Sequence, residues 1–287
     1  MRLGGFYHAE TLAELEPLCE ALDRHGLSAI PAPNRITEMT DEGCAAFGDQ
    51  ARRLGLVVGE TGMWENLMTT DPALRAERIG KVRLLLTKAE AMGCRCVVSL
   101  VGSRHSSDSP LAPEPYMVTD ACKREFREVV LRILDGLELA RTCYAIEPWC
   151  NSFFYEPEDV HAFLTEVDHP NLRLHLDQMN MISQRSFHDT AGLVERTFDL
   201  LADRVVAIHL KDLRWDHEHL MLKWDEVLIG DGVLDYDAYL RHLATLPADT
   251  PGFCEHLAGE GEYATNFARL HEAARRAGTR FLGRTER

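Results

Sequence analysis

The 287-residue sequence has no Cys-x-x-Cys pair, no Gly-x-Gly-x-x-Gly turn, and no stretch approaching the ~20 apolar residues that span a bilayer. Each absence removes a class of protein. The first argues against structural zinc, the second against a dinucleotide fold, and the third against a membrane span. The opening run Met-Arg-Leu-Gly-Gly-Phe-Tyr-His-Ala-Glu also lacks the apolar core of a secretory signal. Positive charge is scarce: 31 Lys and Arg stand against 46 Asp and Glu, a formal net charge of −15. Such a surface repels phosphate backbones and anionic head groups, so neither nucleic acid nor membrane is expected as a partner. The eight Cys are scattered, several inside apolar runs, and read as small buried residues of a reducing compartment. A soluble cytoplasmic protein is the expectation. Low-complexity tracts, Gly/Ser linkers and 20 to 50 residue repeats are missing too, so a single domain over 1–287 is expected, with 281–287 as a frayed tail.

What is present is a rhythm. Short apolar runs alternate with amphipathic stretches: Leu3 to His8, then a helix to His25 closed by Gly26; Leu27 to Pro31, then a helix from Asp41; Leu54 to Glu60, then a helix from Pro72 to Met92. In that third helix Leu74, Ile79, Val82, Leu85, Leu86 and Ala89 form one stripe, with Arg75, Arg78, Lys81 and Lys88 outside it. Cys94 to Val101 has the continuous apolar character of a strand buried on both faces. Residues 103–117 hold three prolines and predict an extended loop, followed by a helix that Thr119 or Asp120 caps and that runs to about Thr142. Later helices are expected from Pro157, Thr190, Tyr236 and Glu262. Eight strand-helix pairs predict a (β/α)₈ barrel, an architecture of about 250 residues.

Four successive strands end in metal-type ligands. Glu147 closes Cys143 to Ile146, Asp177 closes Leu172 to Leu176, His209 closes Val205 to Ile208, and Glu255 follows Gly252 to Cys254. Their gaps are 30, 32 and 46 residues, about one strand-helix unit of ~30 residues or somewhat more. Three carboxylates with one imidazole suit Mn²⁺ or Mg²⁺ and also admit Zn²⁺ or Co²⁺. Side chains alternate along a strand, so Glu147 shares its face with Ala145 and Cys143, and His209 with Ala207 and Val205. Both sets are small enough for a barrel interior. By the same parity His175 lies one layer beneath Asp177.

The set Glu147-Pro148, Leu176-Asp177 with Asn180, His209-Leu210-Lys211-Asp212, Gly230-Asp231-Gly232 and Glu255-His256-Leu257 resembles the sugar phosphate isomerase/epimerase family. This family has a xylose-isomerase-like barrel and includes ketose 3-epimerases, hydroxypyruvate isomerase and inosose dehydratase. The resemblance implies a divalent ion, usually Mn²⁺ or Mg²⁺, held by Glu147, Asp177, His209 and Glu255, and a carbohydrate substrate. It implies acid/base roles for Glu147 and Glu255, one on each face of a hydroxy-ketone. Asn180 departs from the pattern, because the epimerases carry a substrate-contacting His there. An enediolate can be reprotonated, giving isomerisation or epimerisation, or can expel a β-substituent, as in an inosose-type dehydratase or a 3-keto-glycoside C-deglycosylase. Both outcomes stay open, as does a non-catalytic sugar-binding protein; a three-zinc endonuclease on this barrel would need further His and Asp ligands.

Around the same rim His8, Asn34, Glu60, His105, Lys211 and Arg214 are candidate substrate contacts. Lys211 and Arg214 stand out because positive charge there would face an enediolate, with pairing of Lys211 to Asp212 as the competing expectation. Trp64, Trp149 and Phe153 are candidate pocket walls. Assembly is open, and a homo-oligomer is compatible with the sequence.

Overall fold

The computed structural model describes residues 1–286. Its central strands are β1 (Arg2–Gly4), β2 (Ala29–Ile30), β3 (Val57–Val58), β4 (Glu60–Met63), β5 (Cys96–Ser99), β6 (Cys143–Ile146), β7 (Leu172–Asp177), β8 (Val205–Leu210) and β11 (Pro251–Cys254). Parallel pairing runs β1-β11-β8-β7-β6-β5-β4. The remaining gap is spanned by β2, which pairs with β3; Ser28 N donates to Leu3 O and Val57 N to Ser28 O, both at 2.9 Å. Because β3 and β4 are two halves of one strand broken at Gly59, the result is the eight-stranded barrel that the alternation predicts.

Among the described residues eight α-helices surround it: α1 (Leu15–Arg24), α2 (Asp41–Arg53), α3 (Pro72–Met92), α4 (Asp120–Leu134), α5 (Pro157–Val167), α6 (Thr190–Leu201), α7 (Tyr236–Leu243) and α8 (Glu260–Arg276). Their starts follow local chemistry. Asp71 accepts from Ala73 N and Leu74 N ahead of Pro72, and Thr119, Asp189 and Asp235 cap α4, α6 and α7 in the same way. No helix of the described residues is long and apolar enough to cross a membrane.

Four expectations need correction. Helix α4 stops at Leu134 rather than near Thr142, because Gly136 takes a left-handed φ of 66°, and Leu137 and Leu139 after it pack on the core from irregular chain. Arg78 is buried rather than outside the stripe of α3; it pairs with Glu65 and with Asp108, and so pins the long 103–117 loop to the barrel. A two-stranded hairpin, β9 (Asp212–Trp215) with β10 (Trp224–Val227), interrupts the seventh strand-helix unit between β8 and α7. Finally, residues 281–286 are not frayed: Phe281 is buried, Leu282 N donates to Met1 O, Ser28 Oγ to Leu282 O, and Arg2 to Gly283 O. Arg287 lies outside the described residues.

Inside the barrel the filling is uneven. Cys96, Ala145 and Ala207 form a small apolar floor of their own, while Phe253 enters from β11 into room left by Gly4 and Gly59. A Cβ at Gly59 would stand 2.6 Å from the Phe253 ring, and one at Gly4 2.5 Å from Ala29 O. Gly59→Ala therefore destabilises by about 1–3 kcal/mol through overpacking. Gly80, on α3 with nothing within 4 Å of its added Cβ, gains roughly 0.8–1 kcal/mol on the same substitution. Urea melts of the two variants, read for opposite shifts in midpoint, check the pair.

Candidate metal centre and its cavity

The ends of β6, β7, β8 and β11 carry Glu147, Asp177, His209 and Glu255 to one mouth of the barrel. One donor atom from each lies within 4.8 Å of the others. Register accounts for the convergence: Asp177 pairs with His209, His209 pairs with Phe253, and Glu255 follows two residues on, pointing to the same face. His209 Nδ1 lies 2.9 Å from Glu255 Oε1 and 3.4 Å from Glu147 Oε1.

Lys211 enters the same cluster. Its Nζ lies 2.7 Å from Asp177 Oδ2, in close contact with Glu255 Oε1 and 3.9 Å from Glu147 Oε1. Pairing with Asp212 is thereby ruled out: that carboxylate is instead saturated by the backbone N–H groups of Leu213, Gly230, Gly232 and Leu234 at 2.9–3.2 Å. This clamp fixes the Gly-Asp-Gly turn and the base of the hairpin.

Glu60 also differs from expectation. The sequence predicts the end of a strand and a rim contact, but the strand continues to Met63 and turns Glu60 into the interior. There Oε2 accepts from His175 Nε2 at 2.6 Å and Oε1 lies 3.3 Å from His209 Nε2. His175 is fully buried with its ring centroid 4.1 Å from that of His209, in the layer beneath the cluster as its parity predicts. With Nε2–H directed at Glu60, His209 presents Nδ1 to the three carboxylates, the tautomer a metal ligand needs.

These residues fit a divalent ion. His209 Nδ1 and Asp177 Oδ2 are buried without an aligned hydrogen bond, and three crowded carboxylates face a single ammonium. The electrostatics of the protein's own groups tell the same story. Burial, reinforced by Glu147 and Glu255, pushes the Asp177 carboxyl up to about 6 despite Lys211. Burial opposes a charge on His209, yet Glu255, Glu60 and Glu147 together raise its pKa well above the ordinary value. Burial would likewise raise Glu60, but His209 and His175 outweigh it and hold the carboxyl at about 2.

A cavity of about 420 Å³ opens over the cluster. One wall is apolar, built from Trp64, Leu100, Pro110, Leu111 and Trp149; the other carries Glu147, Asn180, Lys211, Glu226, Glu255 and His256. Asn180 donates Nδ2 to Glu147 Oε1 at 2.7 Å. Of the other rim candidates, Arg214 lines an adjoining polar pocket instead. His8 faces Phe6 O and Glu10, Asn34 bonds Glu10, and His105 bonds Ser107 within its own loop; these local partners draw all three away from the cavity. Phe153 is core rather than wall, packed on Phe126, Phe154 and Phe163. His256 and Glu226 were missed. They are joined at 3.0 Å across the mouth, with His256 in a left-handed backbone conformation at φ 60°. His256 follows the ligand-type Glu255 in sequence, whereas Glu226 is brought to the mouth only by the hairpin.

A family model described as xylose isomerase-like TIM barrel matches residues 19–280. The chain belongs to this family. No curated protein matches it, whereas many solved structures share the fold. A D-psicose 3-epimerase with D-tagatose from Clostridium cellulolyticum H10 is 14% identical over 97% of this chain and 100% of that one, with a TM-score of 0.67. A xylose isomerase-like TIM barrel protein from Mycobacterium smegmatis in complex with magnesium is 14% identical over 93% and 90%, with a TM-score of 0.63. An apo 3-keto-D-glucoside 4-epimerase from E. coli is 15% identical over 95% and 99%, with a TM-score of 0.62. At these identities the likeness is one of fold.

Two outcomes follow for metal uptake. An ion must displace the proton that His209 otherwise holds and needs Asp177 ionised, so uptake releases protons and affinity rises with pH, being weakest below about 6. Calorimetry in buffers of different ionisation enthalpy reads the released protons; a pH-independent affinity between about pH 5 and 8 would contradict it. Glu60→Gln leaves the ligands in place but loosens His209, lowering metal affinity roughly 10- to 100-fold. Titration with Mn²⁺ checks this, with Glu60→Asp expected to fall less.

Proposed function

We propose that the protein is a divalent-metal-dependent isomerase or epimerase of a keto sugar or related hydroxy-ketone, with Glu147, Asp177, His209 and Glu255 as metal ligands. The observation that carries this is the placement of two glutamates, on non-adjacent strands, at one cavity floor and against one imidazole nitrogen. The oxygen-rich donor set favours Mn²⁺, with Mg²⁺, Co²⁺ and Zn²⁺ as further occupants. A bound ion supplies Lewis-acid polarisation of the carbonyl and its neighbouring hydroxyl.

The chain's own groups do the rest. The carboxylate of one glutamate takes the proton from the carbon beside the carbonyl, and the C–H pair becomes the C=C bond of an enediolate. For epimerisation a proton returns to carbon on the opposite face by way of the other glutamate; burial would favour its acid form, but His209 and Lys211 hold both carboxyls below the ordinary range, so that group first takes up the proton from solvent or a substrate hydroxyl. Return to the neighbouring carbon gives isomerisation. A general base of this kind contributes about 10²- to 10⁴-fold. Asn180 stabilises the ionised form of Glu147 and fixes which oxygen it offers, a role an amide fills without titrating. The Lys211 ammonium lines the cavity and offsets negative charge as it develops on substrate oxygen.

A lyase is the second reading, favoured by Asn180 in place of an imidazole and by the His256–Glu226 pair at the mouth, where a departing group would be protonated. Glu147→Gln and Glu255→Gln are each expected to keep a measurable metal site and lose about 10²- to 10⁴-fold in turnover. Exchange of a substrate C–H proton with deuterated water, followed by mass, reads this directly. Label in a product of unchanged heavy-atom composition supports the isomerase or epimerase, and loss of water or an aglycone supports the lyase. Unimpaired turnover in both variants on an identified substrate would leave the glutamates as ligands only.

A further inference from the structure

The metal centre does not fill the open space above the barrel. A second trough of about 440 Å³ runs between the loop after β6 and the hairpin, and its wall shares Trp149, Asn180 and Glu226 with the cavity over the metal centre. Beyond those shared residues it is faced by Tyr155, Met179, Leu222 and Trp224. Each cavity alone is within the ~300–1,000 Å³ typical of small-ligand sites, so the two together offer more room than one sugar ring needs.

The trough is built rather than incidental. Trp224 is stacked on Phe187 at 5.5 Å with an interplanar angle of 19°, and Phe187 in turn takes Trp215 edge-on at 5.5 Å. Half-buried aromatic side chains supported in this way offer flat faces with little ordering cost on binding. Tyr155 and Leu222, at 45% and 46% exposure, are large apolar groups left open to solvent on the two sides. The lining includes Asp225 and Glu226 and no Lys or Arg, which disfavours a phosphate or any other anion. In the cavity itself the one ammonium, Lys211, is already engaged by carboxylates.

We propose that the trough is a subsite for an uncharged ring with an apolar face, joined to the sugar, so that the substrate is a neutral glycoside-like keto sugar rather than a free or phosphorylated one. The ring is an aromatic aglycone or a second sugar presenting its C–H face; both meet aromatic walls by the same chemistry. This rests on the reading of the metal centre as a keto-sugar site. It adds a determinant made of side chains that are none of the four ligands.

The test is equilibrium binding to the Mn²⁺-loaded full chain, by calorimetry, of four probes: 4-nitrophenyl β-D-glucopyranoside, cellobiose, methyl β-D-glucopyranoside and glucose 6-phosphate. At least one ring-bearing probe is expected to bind roughly tenfold more tightly than the methyl glucoside, with glucose 6-phosphate no better than the latter. Which of the two ring-bearing probes leads identifies the aromatic or the sugar source. Leu222→Glu and Tyr155→Ala, both at exposed positions, should each remove most of that advantage while leaving metal content and methyl glucoside binding unchanged. Leu220→Glu, fully exposed and outside the trough lining, should do neither. Equal affinities across the neutral probes, preference for the phosphate, or insensitivity to both trough variants would overturn the proposal. Binding is read without turnover, so a failed proton-exchange experiment with a retained ring preference would remove the proposed chemistry and leave the trough standing.

Discussion

Three carboxylates held within a few ångströms of one another at the end of a buried barrel repel strongly unless a cation stands among them. Everything around Glu147, Asp177 and Glu255 answers that constraint. Lys211 supplies one positive charge and His209 an imidazole, and Glu60, itself an acid, is kept ionised one layer down by two imidazoles. Removing one carboxylate would lessen the repulsion and also the demand for a divalent ion. The cluster is thus costly as protein alone and suited to a cation as a whole.

The small floor of Cys96, Ala145 and Ala207 and the Phe253 wedge serve the same end. Small side chains leave room for the two histidine rings to meet at a tilt of 58°, while the wedge and the paired glycines fill the neighbouring sector. A polar column from His175 through Glu60 to His209 then stands in an apolar sleeve, where its hydrogen bonds are strong and its geometry is over-determined.

Much of this was legible in the sequence because it is periodic. Strand-helix alternation gave the barrel, and the period of two along β6, β7 and β8 correctly placed Ala145, Ala207 and His175 on the ligand face. What was not legible is contact between elements distant in sequence. Glu60 looks like a strand end until β5 pairs with it and carries the strand on to Met63. Arg78 looks solvent-facing until Asp108 arrives from a loop thirty residues away. Lys211 sits beside Asp212 in sequence, yet strand alternation sends the ammonium inward and four backbone N–H groups take the carboxylate. The hairpin escaped because its strands are half polar and its tip, Glu218 to Leu222, mixes charge with exposed apolar side chains.

That Asp212 clamp has a consequence for how such a protein changes over time. By tying Leu213, Gly230, Gly232 and Leu234 to one side chain, it makes the stretch between them a module with a fixed root and a free tip. Insertions, deletions or replacements between Asp216 and Lys223 would alter what the hairpin holds over the mouth without moving a strand of the barrel. The mouth can drift while the cluster of carboxylates and imidazole stays put, so two descendants of this chain could share every residue of the barrel floor and agree on nothing that crosses its rim.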